Sequence, residues 1–135
     1  MKTKLLVGCV GDQFMPGVKE AIAVAVEGAR AAGSEVHVKI QPPITVLPYL
    51  GLATMRNRLL MEGWERGYTR VVLLDNDVLL GPESLCDLLR SRRSIAVPHY
   101  HQAYPHHVKL FETGLTGLEW AVFSCIAFSI GALRR

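Results

Sequence analysis

Asp75 and Asp77 stand two residues apart directly after the apolar run Val71-Val72-Leu73-Leu74. A buried strand made of such residues delivers both carboxylates to its carboxyl end, the edge at which open parallel sheets bind ligands. If the extended conformation continues past Asp75, residues i and i+2 point to one side and the two carboxylates converge. Converging carboxylates repel unless a positive charge lies between them. The group that suits an oxygen-only pair is a hard divalent cation. The bland alternative is that such residues cap the turn that follows the strand.

Other chemistry-bearing residues point less sharply. His99 and His101 are two apart in a polar stretch that is expected to run as a surface loop to Lys109. A place in substrate contact suits them better than a structural zinc site, and a histidine is also a possible further ligand of Mn2+. Gly8 and Gly11 lack the third glycine of a dinucleotide fingerprint, and no Gly-Lys-Ser/Thr follows as in a P-loop. Cys9, Cys86 and Cys125 are odd in number, far apart and outside any Cys-x-x-Cys spacing. They read as reduced thiols of a cytoplasmic protein, not a disulfide framework or thiolate zinc site.

The elements that must position these groups alternate. Leu5-Leu6-Val7 predicts a first strand ending at Gly8. Val18, Ile22, Ala25, Val26 and Ala29 recur at helical spacing after Pro16, and Gly33 stops that helix. Residues 35–40 alternate as a second strand, closed by Pro42-Pro43. Residues 44–49 form a connection, and Leu52, Met55, Leu59 and Trp64 mark the inner face of a second helix ending at Gly67. The strand at 71–74 leads into the Asp75-Asn76-Asp77 turn. A third helix opens at Gly81-Pro82-Glu83, its Leu85, Leu88 and Leu89 inward and Arg90, Arg92 and Arg93 at its carboxyl end. Ile95-Ala96-Val97 is a short strand, and residues 121–130 make the last one. Met15, Met55, Met61 and Trp64 are expected in the core. The order predicts an α/β fold, a mainly parallel twisted sheet flanked by helices, in a single domain over 1–135.

Composition agrees. Half of the 135 residues are hydrophobic, which suits a sheet covered on both faces. The net charge of +3 comes from scattered basic residues with no interleaved aromatic stripe, so nucleic acid is not an expected partner. The apolar run after Met1-Lys2-Thr3-Lys4 is too short for a signal peptide, and no apolar stretch is long enough to span a bilayer.

With Met55-Arg56-Asn57 upstream and the helix and strand at 82–97 downstream, the string Val72-Leu73-Leu74-Asp75-Asn76-Asp77 resembles the Asp-x-Asp region of nucleotide-sugar glycosyltransferases. Those are enzymes of the Rossmann-like GT-A fold, here of the family-two type. The resemblance implies transfer of a sugar from a nucleoside-diphosphate donor to an acceptor hydroxyl of a glycan, protein or small molecule. It implies Mn2+ or Mg2+ on Asp77, with Asp75 helping to orient it and contacting the ribose. It further implies Arg56, at a helix start, near the donor phosphates, and Cys9, Val10, Gly11, Asp12 and Asn76 against the nucleotide. Such enzymes commonly place their acidic base later in the chain, and here no Asp follows Asp87 and the later carboxylates are Glu112 and Glu119 alone. The chain therefore reads as the donor-binding part of a longer domain, with the catalytic base beyond residue 135. An apolar edge left that way makes a homo-oligomer possible.

Two other readings compete. A non-catalytic module of the same fold would bind nucleotide without transferring sugar. A haloacid-dehalogenase-type phosphatase also follows an apolar strand with Asp-x-Asp and uses the first Asp as nucleophile. It places that motif on its first strand, however, and needs a later acidic cluster.

Overall fold

The computed structural model describes residues 3–11, 13–41, 48–91, 94–96, 98–103, 108–115 and 125–133, with backbone alone at 41, 48–50, 98–103, 108–115, 132 and 133. Five strands, β1 (Lys4–Val10), β2 (Glu35–Gln41), β3 (Arg70–Asp75), β5 (Ile95–Ala96) and β8 (Cys125–Ser129), form one sheet in the order β2-β1-β3-β8-β5. The β1–β2 and β1–β3 pairs are parallel, while β3–β8 and β8–β5 are antiparallel. The sheet is thus mixed and not mainly parallel. Strand composition signals burial, but it carries no mark of direction.

Helix α1 (Val18–Ala31) and helix α3 (Ser84–Arg90) cover one face. Leu5, Val7, Cys9, Val72, Leu74, Cys125 and Ala127 meet Val18, Ile22, Ala25, Val26 and Ala29 of α1 and Leu85 and Leu88 of α3 there. These are the five α1 positions that helical spacing selects. Helix α2 (Pro48–Glu65) covers the opposite face, where Met55 and Leu59 pack on Leu6, Val10, Val71, Leu73, Ile126 and Phe128. Two glycines let α2 lie close. A Cβ on Gly8 would come 2.7 Å from Leu59 Cδ1, and a Cβ on Gly63 would collide with Val71 Cγ2.

A second, three-stranded sheet holds β4 (Val78–Leu80), β7 (Val108–Leu115) and β6 (Pro98–Ala103) in the order β4-β7-β6. The expected loop between His99 and Lys109 is therefore strand at both ends. Its polar residues hide the alternation by which a half-buried strand is recognised. Helix α4 (Ile130–Leu133) follows β8 directly, so the last strand is shorter than the span 121–130; residues 121–124 lie outside the described ones. Met55 is buried as expected, but Met61 and Trp64 are exposed on the outer side of α2. Among the described residues no helix is long and apolar enough to cross a membrane.

Candidate functional site at the carboxyl end of strand β3

Strand β3 is central, with β1 on one side and β8 on the other. Its apolar residues Val71 to Leu74 are all buried, and the extended backbone ends at Asp75. Asn76 and Asp77 form a turn before β4, so the two carboxylates do not continue one extended face. Both are near enough to the Cys9 thiol to help raise its pKa, after the larger effect of its burial.

Asp75 takes the α2 side of the sheet, in step with Val71 and Leu73. Its Oδ1 accepts a hydrogen bond from Arg56 Nη2 at 2.7 Å, and both side chains are about three-quarters buried (21% and 25% exposed). Arg56 is positioned by its neighbours on the same helical face, Met55, Leu52 and Leu59, which face the sheet. It does not stand at a helix start. The helix begins at Pro48, whose fixed φ and missing N–H suit a first turn, and Arg56 is well inside it. The positive charge beside Asp75 is therefore the guanidinium itself, without a helix amino end.

Asp77 differs. Its Oδ1 is shielded from solvent and has no hydrogen-bond partner among the described residues. A buried polar atom left unpaired costs about 1–3 kcal/mol, more for a charged group. An ordered water or an ion could supply the missing partner of such an atom. A hard cation fits this donor set in one particular way. Mg2+ characteristically takes one or two carboxylates plus substrate phosphates and keeps several waters. Among the described residues no three of His, Cys, Asp and Glu gather into a cage.

The loop after β1 is strapped onto this turn. Asn76 Nδ2 donates to Gln13 O at 2.5 Å, and Met15 N donates to Asn76 O at 3.1 Å. A Cβ on Gly11 would approach Asn76 Cβ to 2.8 Å, so glycine is what permits the contact. Asn76 is thereby a clamp between strand end and loop, and its amide is committed to that task.

Cys9 and Val10 do not belong to the loop. Parallel pairing on both sides of β1 runs through Val10, opposite Gln41 and Asp75, so both residues are strand. Their side chains lie in the two core layers and not in a loop after the strand. Gly11 follows at the strand end, and Asp12 lies outside the described residues. His99 and His101 are on β6. Backbone register aligns His101 with Leu110 of β7, which aligns with Leu79 of β4. That puts His101 two strands, roughly 10 Å, from the chain that leaves Asp77. Two grooves formed by described residues lie elsewhere, one of about 280 Å3 between α1 and β2 and one of about 510 Å3 along the outer side of α2.

Burial, then the charges of Asp75 and Asp77, push the Cys9 thiol from 9.0 up to about 12, and burial and Asp75 raise Cys125 as well. The sign of the linkage follows. Between pH 9 and 12 the unfolded chain has released the Cys9 proton and the folded chain retains it. Stability contributed by the neutral thiol is complete below pH 9 and falls as pH rises, by about 1.4 kcal/mol per pH unit for this group. Chemical denaturation at pH 8 and pH 10.5 is expected to show that loss, and Cys9→Ala is expected to lessen it. An unchanged pH dependence in Cys9→Ala would refute the assignment.

Neither the clamp at Asn76 nor the glycine contact at Gly11 is written in the spacing of the carboxylates. Gly11 three residues after Gly8 was the available signal, since a glycine just past a strand marks a close backbone approach. Comparison with family models, with curated proteins and with solved structures finds no match to this chain.

Proposed function

We propose that this chain is the donor-binding part of a metal-dependent glycosyltransferase of GT-A type, acting on a nucleoside-diphosphate sugar. The observation that carries the reading is the shielded, unpartnered Oδ1 of Asp77 at the carboxyl end of a central strand, beside the Asp75–Arg56 pair. Asp77 would hold Mn2+ or Mg2+ together with the donor's phosphates. The bound cation would act as a Lewis acid on the leaving diphosphate, a contribution of several kcal/mol.

The chain's own residues have separable tasks. Asp77 presents one carboxylate oxygen already stripped of water. Arg56 fixes the Asp75 carboxylate in a single orientation and offsets its charge, so that two anions can stand near Cys9. Asn76 holds the β1 loop against the turn and so shapes the wall of the site.

Titration calorimetry with uridine and guanosine diphosphates, with and without Mn2+, tests the reading. Binding that requires the metal supports it. A folded protein that binds neither nucleotide under either condition overturns it. Metal-dependent binding with no sugar transfer or donor hydrolysis would instead identify a non-catalytic nucleotide-binding module.

A further inference from the structure

Among the described residues strand β2 is an edge of the five-stranded sheet, and its apolar side is only half covered. Val38 and Ile40 are 42% and 45% exposed, and Val24 of the adjoining helix is 54% exposed. Val38 and Ile40 line the groove of about 280 Å3 with Ile22, Ala23 and Val26. The backbone phase of β2 is fixed by Glu35 N, which donates to Thr3 O. In a parallel ladder, alternate residues face a given neighbour, so 35, 37, 39 and 41 bond to β1, and the N–H and C=O of 36, 38 and 40 point outward. Of these, Val36 O accepts from Arg30 Nη2 at 2.9 Å and keeps a second lone pair.

The charges along this edge say what fits it. Glu35 and Lys39 flank His37 symmetrically, one acidic and one basic. A two-fold axis at His37, perpendicular to the sheet, sets Glu35 of each chain opposite Lys39 of the other. It also sets Val36 opposite Val38, both with outward-facing backbone groups, as a hydrogen-bonded antiparallel pair requires. This axis sets the two His37 rings opposite each other, where an axis at Lys39 would stack two lysines and an axis at Val38 would oppose His37 with Lys39. Within the chain Lys39 Nζ pairs with Glu62 and Glu35 Oε1 with His37 at 2.8 Å, so the dimer contact would be shared with these pairs.

We propose that β2 is a homodimer interface, at which a second copy of this chain pairs antiparallel about His37 and joins the two sheets into one. The apolar row of Val36 and Val38 then continues across the junction, beside the α1 grooves of both protomers.

Sedimentation velocity over a concentration series tests this on the whole chain. Wild type is expected to show a reversible monomer–dimer equilibrium. Glu35→Lys alone places lysine against lysine twice and is expected to weaken the dimer roughly tenfold or more. Lys39→Glu alone does the same with carboxylates. Mixing the two variants restores Lys–Glu at both positions, so the mixture is expected to form a heterodimer that neither variant forms with itself. Val38→Pro removes an outward N–H without breaking the β1 ladder and is expected to leave a folded monomer. A wild type that stays monomeric, a dimer indifferent to Val38→Pro, or a mixture no more associated than its parts would each overturn the proposal.

Discussion

Asp77→Asn is expected to abolish metal-dependent binding of nucleoside diphosphates while the metal-free protein unfolds at the same temperature or a higher one. The two effects share a cause. The Oδ1 of Asp77 is shielded and has no hydrogen-bond partner among the described residues, and a second carboxylate, Asp75, lies two residues away. Asparagine keeps the shape and removes the charge; its own amide atom still lies at the shielded position, so only the part of the cost that belongs to the charge is relieved. On the proposed reading the same change removes a ligand from the cation, so binding that requires the metal is lost with it. Calorimetry with Mn2+ and a nucleoside diphosphate reads the first effect, and thermal unfolding without metal reads the second. A variant that binds nucleotide as wild type does would remove Asp77 from the site. A variant that is also markedly less stable would show that the carboxylate has a structural partner instead. Residues that serve binding are commonly less than optimal for stability, and substitution there separates the two properties.

How far this site was legible in the sequence depends on which force sets each feature. The strand-end carboxylates could be read because burial of Val71 to Leu74 is a strong local signal, and nothing competes with it. The inner face of α1 could be read for the same reason: its five apolar positions alone satisfy a 3.6-residue period. The extent of β1 could not. Gly8 looks like a strand terminator, yet it lies inside the strand, because what it supplies is room for Leu59. Cys9 and Val10 accordingly moved from an expected binding loop into the core. The start of α2 was displaced for a related reason. Pro48 opens the helix several residues before its apolar spacing becomes regular, so Arg56 lies mid-helix and finds Asp75 by packing. Strands β4, β6 and β7 were hidden altogether. Val78-Leu79-Leu80 is too short to show a period, and β6 is histidine-rich. Their pairing is a tertiary choice that local residue types do not announce.

The largest expected loss of stability is at the contact that holds α2 to the sheet. Leu59 is fully buried, and its side chain occupies the space that Gly8 leaves open in β1. Leu59→Ala removes that filling and is expected to cost about 2–5 kcal/mol, the range for buried leucine truncation. That is a large share of the ~5–15 kcal/mol by which a domain of this kind is held folded. Gly8→Ala in the wild-type background is also expected to destabilise, because its new methyl would lie 2.7 Å from Leu59 Cδ1 and 3.0 Å from Cδ2. The three atoms nearest that methyl all belong to Leu59, so the double variant relieves those contacts. The two substitutions together are therefore expected to cost less than the sum of the two alone, with a coupling of roughly 0.5–3 kcal/mol in a double-mutant cycle measured by urea denaturation. Strict additivity would mean that α2 does not seat on Gly8. The consequence reaches the site, because Arg56 lies one turn before Leu59 on the same helix. Loosening that turn is expected to weaken the Arg56 hold on Asp75, and nucleotide affinity should fall in Leu59→Ala and recover in part with Gly8→Ala.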